Sequence, residues 1–137
     1  MKEQCYLDAN FIVYLLVKSH PNNKDAIEKL KNLKNYSWVT SFLVLDEVLY
    51  IMNKYIKDKE LICSAIKSFF TKVELEMIGL ENSIPVALKY IETWKFIVLK
   101  PRDAMHFQIM KSNKVKYIVT FDKHFNLNQK ELGITVV

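Results

Sequence analysis

An α/β fold with a central parallel sheet flanked by helices is predicted by three features of this 137-residue sequence. Short strand-like runs alternate with longer segments whose apolar residues recur at helical spacing. No repeat, low-complexity tract or Pro/Gly-rich linker interrupts that alternation. The length suits one domain, here residues 1–137, with enough chain to bury a proper core. Strands separated by helices are expected to pair in parallel, with helices covering both faces.

Each element follows from local pattern. Gln4–Asp8 reads as the first strand, and Ala9–Val17 as an apolar helix directly after it. Over Asn23–Leu33, Ala26, Ile27, Leu30 and Leu33 share one helical face and lysines the other. Ser37–Val39 is a short strand, and Thr40 or Ser41 offers an N-cap oxygen to a helix that runs to about Tyr55. Lys59–Phe70 repeats the helical spacing through Leu61, Ile62, Ala65, Ile66, Phe69 and Phe70. Val73–Ile78 alternates apolar residues with Glu74 and Glu76, the pattern of a strand wet on one side and close to a sheet edge. Pro85 suits the first turn of a helix from Ser83 to Trp94. Another helix starts near Arg102, just after Pro101, and ends around Ser112; Tyr117–Thr120 and Thr135–Val137 read as strands.

Composition removes several function classes. Only Gly79 and Gly133 occur, whereas a Walker loop or a dinucleotide fingerprint needs several closely spaced glycines. No nucleophile elbow is visible. Cys5 and Cys63 are far apart and outside any C-x-x-C, so they read as buried thiols of a reducing compartment. The apolar run Phe11–Val17 is too short to span a bilayer, and no cleavable leader is evident; a cytoplasmic protein is expected.

Four carboxylates stand where apolar elements begin, end or are interrupted: Asp8 in Y-L-D-A-N, Glu47 in S-F-L-V-L-D-E-V-L, Asp103 in L-K-P-R-D-A-M-H, and Asp122 in Y-I-V-T-F-D-K-H-F. Clustered acids repel and resist ionisation unless a cation joins them, so four such places suggest one shared divalent-metal site. In an open parallel sheet the carboxyl ends of the strands, with the helices that start there, would bring these distant segments together. Each acid also has a local use: Asp8 as a helix cap, Asp103 against a helix dipole, Asp122 in an Asx turn. Glu47 is harder to explain locally, because Leu43, Val44, Tyr50 and Ile51 around it are apolar. Asp46 beside it competes for the role, and periodicity leaves the two unresolved. Net charge is +5; with the four acids set aside, 11 acidic face 20 basic residues, leaving +9. A basic body around an acidic centre suits a polyanionic substrate, and equally a Lys-rich solubilising surface.

Together, L-D-A-N at 7–10, the S-x-x-x-x-x-E stretch at 41–47, L-K-P-R-D-A-M-H at 99–106 and I-V-T-F-D-K-H-F at 118–125 resemble the PIN domain, the small-nuclease family that includes VapC-type toxins. The resemblance covers nearly the whole chain and implies a PIN-like three-layer fold. It assigns the family's catalytic and metal-binding acids to Asp8, Glu47, Asp103 and Asp122, which favours Glu47 over Asp46. It also implies a tendency to form homodimers. One position departs: where these domains often carry a further acid, this chain has His124. His124 could meet a metal or a phosphate, or simply occupy a turn. His106 is expected to be packed or hydrogen-bonded. Asn10 and Thr120 are candidates to hold the carboxylates in place.

Hard oxygen ligands without clustered Cys or His select Mg²⁺ or Mn²⁺, with one or two ions per site. Asp8, Asp103 and Asp122 would hold the ion that activates water, and Glu47 would contribute to a second one at the leaving oxygen. The expected reaction is hydrolysis of RNA phosphodiester bonds, with Lys100, Arg102 and Lys123 able to hold backbone phosphates. Three settings are consistent with this sequence. The chain is the ribonuclease toxin of a type II VapBC-like pair, silenced by a small antitoxin protein; or an RNA-maturation PIN ribonuclease without one; or a catalytically silent PIN module that binds RNA or protein. An antitoxin is expected to present Arg or Lys to the acidic site.

Overall fold

A computed structural model describes residues 1–137. Five parallel strands form one sheet: β1 (Glu3–Leu7), β2 (Tyr36–Thr40), β3 (Leu75–Met77), β4 (Tyr117–Val119) and β5 (Thr135–Val136), in the order β3-β2-β1-β4-β5. The helices are α1 (Ala9–Leu16), α2 (Asn23–Asn32), α3 (Phe42–Tyr55), α4 (Lys59–Lys72), α5 (Ile84–Phe96), α6 (Pro101–Ser112), α7 (Lys123–Leu127) and α8 (Gln129–Leu132). They flank the sheet, giving the expected α/β architecture. β1 is central, and Cys5, Tyr6 and Leu7 are fully buried at its carboxyl half. β3 is an edge strand, as the alternating Glu74 and Glu76 anticipate.

The strand order places the reversal at β1. The chain moves from β1 to β2 on one side and returns to β4 on the other, so the crevice lies at the carboxyl ends of β1 and β4. Local chemistry fixes the helices that start there. Asp8 caps α1 through Ala9 N–H, Ser41 caps α3 through Val44 N–H, and Asp122 caps α7 through His124 N–H. Of the two cap candidates for α3, Ser41 takes the role, while Thr40 Oγ1 donates to Leu7 O at 3.1 Å and ties β2 to β1.

Several local expectations change in the folded chain. Cys63 is exposed, so only Cys5 is a buried thiol, pushed up to about 12 by burial. Cys63 lies away from the α4 face formed by Ile62, Ile66 and Phe69, which is the face that packs inward. Ile27 also faces solvent, since only Ala26 of α2 is fully covered. α6 does not follow a strand: it begins after the extended stretch that leaves α5, and it is buried almost all the way round. α5 is the opposite case, with no buried residue, and Ile84, Leu88 and Ile91 are each more than half exposed on successive turns. No helix is long and apolar enough to cross a membrane.

α7 and α8 had no strong periodic signal because they are too short to carry one. Phe125 anchors α7 by complete burial, and Gly133, at φ 68°, ends α8 in the left-handed conformation that glycine tolerates best. Phe125→Ala is therefore expected to cost about 3–5 kcal/mol of unfolding free energy. Urea denaturation measures this directly; a loss below about 1 kcal/mol would mean that the carboxyl-terminal segment is not held by this ring.

Candidate metal centre

The site begins with backbone pairing. Leu7 and Val119 are register partners in the β1–β4 ladder, and Asp8 N–H donates to Val119 O at 3.1 Å. Asp8 and Thr120 therefore leave the sheet side by side although 112 positions separate them. Thr120 Oγ1 donates to Asp8 Oδ2 at 2.6 Å and accepts from Asp122 N–H at 2.9 Å. Asp8 Oδ1 accepts from Ala9 N–H at 2.8 Å. Asn10 Oδ1 accepts from Phe121 N–H at 3.0 Å, pinning the turn after β4 to the first turn of α1. Asn10 and Thr120 thus fix the carboxylate-bearing backbone by hydrogen bonds to its turns.

α3 supplies Glu47. With Ser41 as cap, Glu47 falls in the second turn, and its side chain is only 12% exposed. Asp46 is exposed instead, so the helix turns one acid of the pair inward and the other out. Glu47 Oε1 accepts from His106 Nε2 at 2.7 Å and lies 3.7 Å from Arg102 Nε. His106 comes from α6, one turn beyond Asp103, and is itself buried. Ligand atoms of Asp8, Glu47 and His106 all lie within 4.8 Å of one another. Asp103 and Asp122 do not join that compact group, but they share its field.

That field is visible in the ionisation equilibria. Burial, then the charges of Asp122 and Asp8, push the Asp103 carboxyl up to about 6, only partly offset by His106 and His124. Burial also raises Asp8, against His106, the Thr120 hydroxyl and the Ala9 amide, which all favour its charged form. For His106, burial disfavours the cation, but the Glu47 hydrogen bond and the charges of Asp8, Glu47 and Asp103 outweigh it and hold the imidazole above its ordinary value. Carboxyls whose ionisation is opposed by burial and by each other's charge are groups a divalent cation can serve. The donor set is mainly carboxylate oxygen, which fits a hard cation.

Lys100, Lys123 and His124 are exposed around these acids, and Arg102 is 63% exposed although near Glu47. Lys100 is the N-cap residue of α6, and His124 acts through its backbone amide on Asp122 Oδ1 at 2.8 Å. Sequence reasoning missed Tyr6, while His106 is packed and hydrogen-bonded as expected. Tyr6 sits in an apolar strand, where nothing in the local pattern marks its hydroxyl as part of a polar site.

Asp103 makes metal-free stability depend on pH. Its folded value of about 6 exceeds the ordinary 3.8, so the folded chain binds more protons than the unfolded one between those values. On this group's account stability is fully present below the lower value and is lost as pH rises through about 6. Asp103→Asn should flatten that fall and raise the metal-free melting temperature at pH 7 by about 4 °C, the shift about 1 kcal/mol gives in a chain of this size. The figure allows for solvent screening of a half-buried group. Melting curves of both chains in EDTA from pH 4 to 8 check it; parallel curves would remove the repulsion.

Comparison with known proteins adds a family and a set of shapes. The model of the PIN domain matches residues 5–130. No curated protein matches the sequence. Among solved structures, the chain is similar to Mycobacterium tuberculosis VapC20, a sarcin-ricin loop cleaving toxin, with a TM-score of 0.68 and 19% identity over 90% of this chain and 93% of that one. It is similar to VapBC2 from Rickettsia felis, bound to a DNA fragment from its promoter, with a TM-score of 0.67 and 22% identity over 98% and 97%. FitAB bound to an IR36 DNA fragment gives a TM-score of 0.62 at 14% identity over 97% and 93%. At these identities the likeness is one of fold.

Proposed function

We propose that this chain, which belongs to the PIN domain family, is a divalent-metal-dependent endoribonuclease and the toxin of a VapBC-like toxin–antitoxin pair. The observation that carries the reading is the convergence of Asp8 and Glu47 at the carboxyl edge of the sheet, with Asp103 raised by burial and then by the charges of Asp122 and Asp8. The VapC likeness in fold supports the toxin setting. Residues 1–137 form the nuclease domain, working in the cytoplasm.

Asp8, Glu47, Asp103 and Asp122 would hold Mg²⁺ or Mn²⁺. When bound, such an ion supplies a water of lowered pKa and neutralises charge that develops on the phosphate. The rest falls to the chain. Thr120 and the Ala9 amide orient the two oxygens of Asp8 before substrate arrives. Asn10 keeps the turn carrying Asp122 against α1. Lys100, Arg102 and Lys123 draw the RNA backbone toward the acids, since phosphate contact supplies most of the affinity for a polyanion. Arg102 is largely exposed and its 3.7 Å contact to Glu47 is long, so its guanidinium can turn to a phosphate while Glu47 keeps its hydrogen bond from His106. Of the remaining site candidates, His124 is free to reach substrate from the rim. The inhibitory partner is a small antitoxin whose Arg or Lys would take the place of the RNA charge complement by pairing with the acids.

Purified chain is expected to cut a structured RNA with Mn²⁺ or Mg²⁺ and not with EDTA. Asp8→Asn should lower that activity by more than about 100-fold, since even losing a group behind a metal ligand costs 10–100-fold. An Asp8→Asn chain that cuts at the wild-type rate would overturn the assignment.

The second copy of a homodimer is proposed to cover α5. Ile84, Leu88 and Ile91 form a stripe over successive turns, and one stripe placed against its own copy makes a closed two-fold contact. Light scattering should show Leu88→Glu shifting a dimer to monomer by at least about tenfold in dissociation constant, as one buried unpaired charge demands. An unchanged mass at micromolar concentration would place the dimer contact elsewhere.

A further inference from the structure

Behind the acids runs a buried polar chain that the metal chemistry does not require by itself. Tyr6 Oη lies 2.7 Å from Ser41 Oγ on one side and 2.7 Å from His106 Nδ1 on the other. His106 Nε2 then lies 2.7 Å from Glu47 Oε1. Tyr6, Ser41 and His106 are all essentially inaccessible to solvent. The chain links β1, the cap of α3 and α6, the elements that carry or adjoin Asp8, Glu47 and Asp103.

The protons can be placed by elimination. An ionised Glu47 only accepts, so Nε2 carries a hydrogen and donates it to Oε1. Ser41 Oγ already accepts from Val44 N–H at 3.2 Å, and its only other partner is Tyr6. If Ser41 donates to Tyr6, then Tyr6 donates to Nδ1, and every hydrogen in the chain has an acceptor. The opposite direction leaves the buried Ser41 hydrogen without one, which is costly. The neutral ring is therefore the Nε2–H tautomer, set by the Tyr6 hydroxyl on the far nitrogen.

We propose that His106, braced by Tyr6 and Ser41, is a positioning residue that aims Glu47 and is not a metal ligand, although its Nε2 lies within 4.8 Å of ligand atoms of Asp8 and Glu47. A nitrogen whose hydrogen is committed to Glu47 has no lone pair for a cation. Oε1 of Glu47 is turned to His106, and Oε2 is the oxygen left for the ion. The inference rests on the reading of these acids as a metal site and deepens it. It also separates two roles on α6: Asp103 faces the ion, and His106, one turn on, sets a ligand contributed by another helix.

The experiment combines nitrogen NMR of the His106 ring with Mn²⁺ titration of wild type, Tyr6→Phe, His106→Gln and His106→Leu. Tyr6→Phe keeps the ring packed and removes only the hydroxyl. His106→Gln keeps a donor for Glu47 at a similar reach, whereas His106→Leu keeps neither donor nor ligand; cooperative melting is required of each variant. Nε2 is expected to stay protonated before and after saturation with Mg²⁺. Tyr6→Phe should weaken Mn²⁺ binding about tenfold, the usual effect of losing a group that orients a ligand. His106→Gln should bind more tightly than His106→Leu. Loss of the Nε2 hydrogen on adding Mg²⁺ would make His106 a ligand, and His106→Gln binding no better than His106→Leu would show that the hydrogen bond to Glu47 does not set the site; either result overturns the proposal. Wild-type affinity in Tyr6→Phe would remove the brace. A wild-type chain that binds no Mn²⁺ but retains its Nε2–H signal would instead overturn the metal reading on which this rests.

Discussion

The pairing of β1 with β4 is the constraint from which the site follows. Register between Leu7 and Val119 places Asp8 beside Thr120, and the Thr120 hydroxyl then spans from Asp8 Oδ2 to the Asp122 amide. A slip by one residue would turn every side chain of the strand to the opposite face and separate these groups. Burial of Tyr6 and Leu7 in β1, and of Ile118 and Val119 in β4, makes such a slip expensive, so the hydrophobic core and the polar site are fixed by the same register. The site's precision is inherited from packing.

Gathering acids at a buried edge works against folding. The raised Asp103 and Asp8 carboxyls measure that opposition: each would rather keep a proton than bring another negative charge into a partly dry place. Hydrogen bonds to Asp8 from Thr120 and the Ala9 amide, and to Glu47 from His106, offset part of it. The remainder is the kind of local conflict that concentrates at functional sites, where stability is given up for chemistry. A cation that binds only the folded chain would recover it by linkage.

α6 and α5 are neighbours with opposite burdens. α6 is buried almost all round and carries Asp103 and His106 inward, which is why its sequence lacks a clean apolar stripe. α5 shields part of it and shows solvent an apolar face of its own. Tyr90 donates to Pro101 O and joins the middle of α5 to the start of α6. Through that exposed contact the first turn of α6, and with it Asp103, is tied to a helix that has no fully buried residue.

The sequence by itself determined the fold class, the order of the principal helices and strands, the edge position of the Glu74/Glu76 strand, and the segments carrying the four acids. These are legible because helical and strand periods, cap residues and breakers act over a few positions. Periodicity alone left Asp46 and Glu47 open, and only the family resemblance favoured Glu47; the sequence also took Cys63 as buried and showed no sign of α7, α8 or the hydroxyl of Tyr6. Only tertiary structure decided those, for a common reason. Whether a helical residue faces inward depends on what packs against the helix, and whether a strand tyrosine finds a partner depends on segments 35 and 100 positions away. Local pattern selects which elements form; long-range packing selects which of their polar atoms meet.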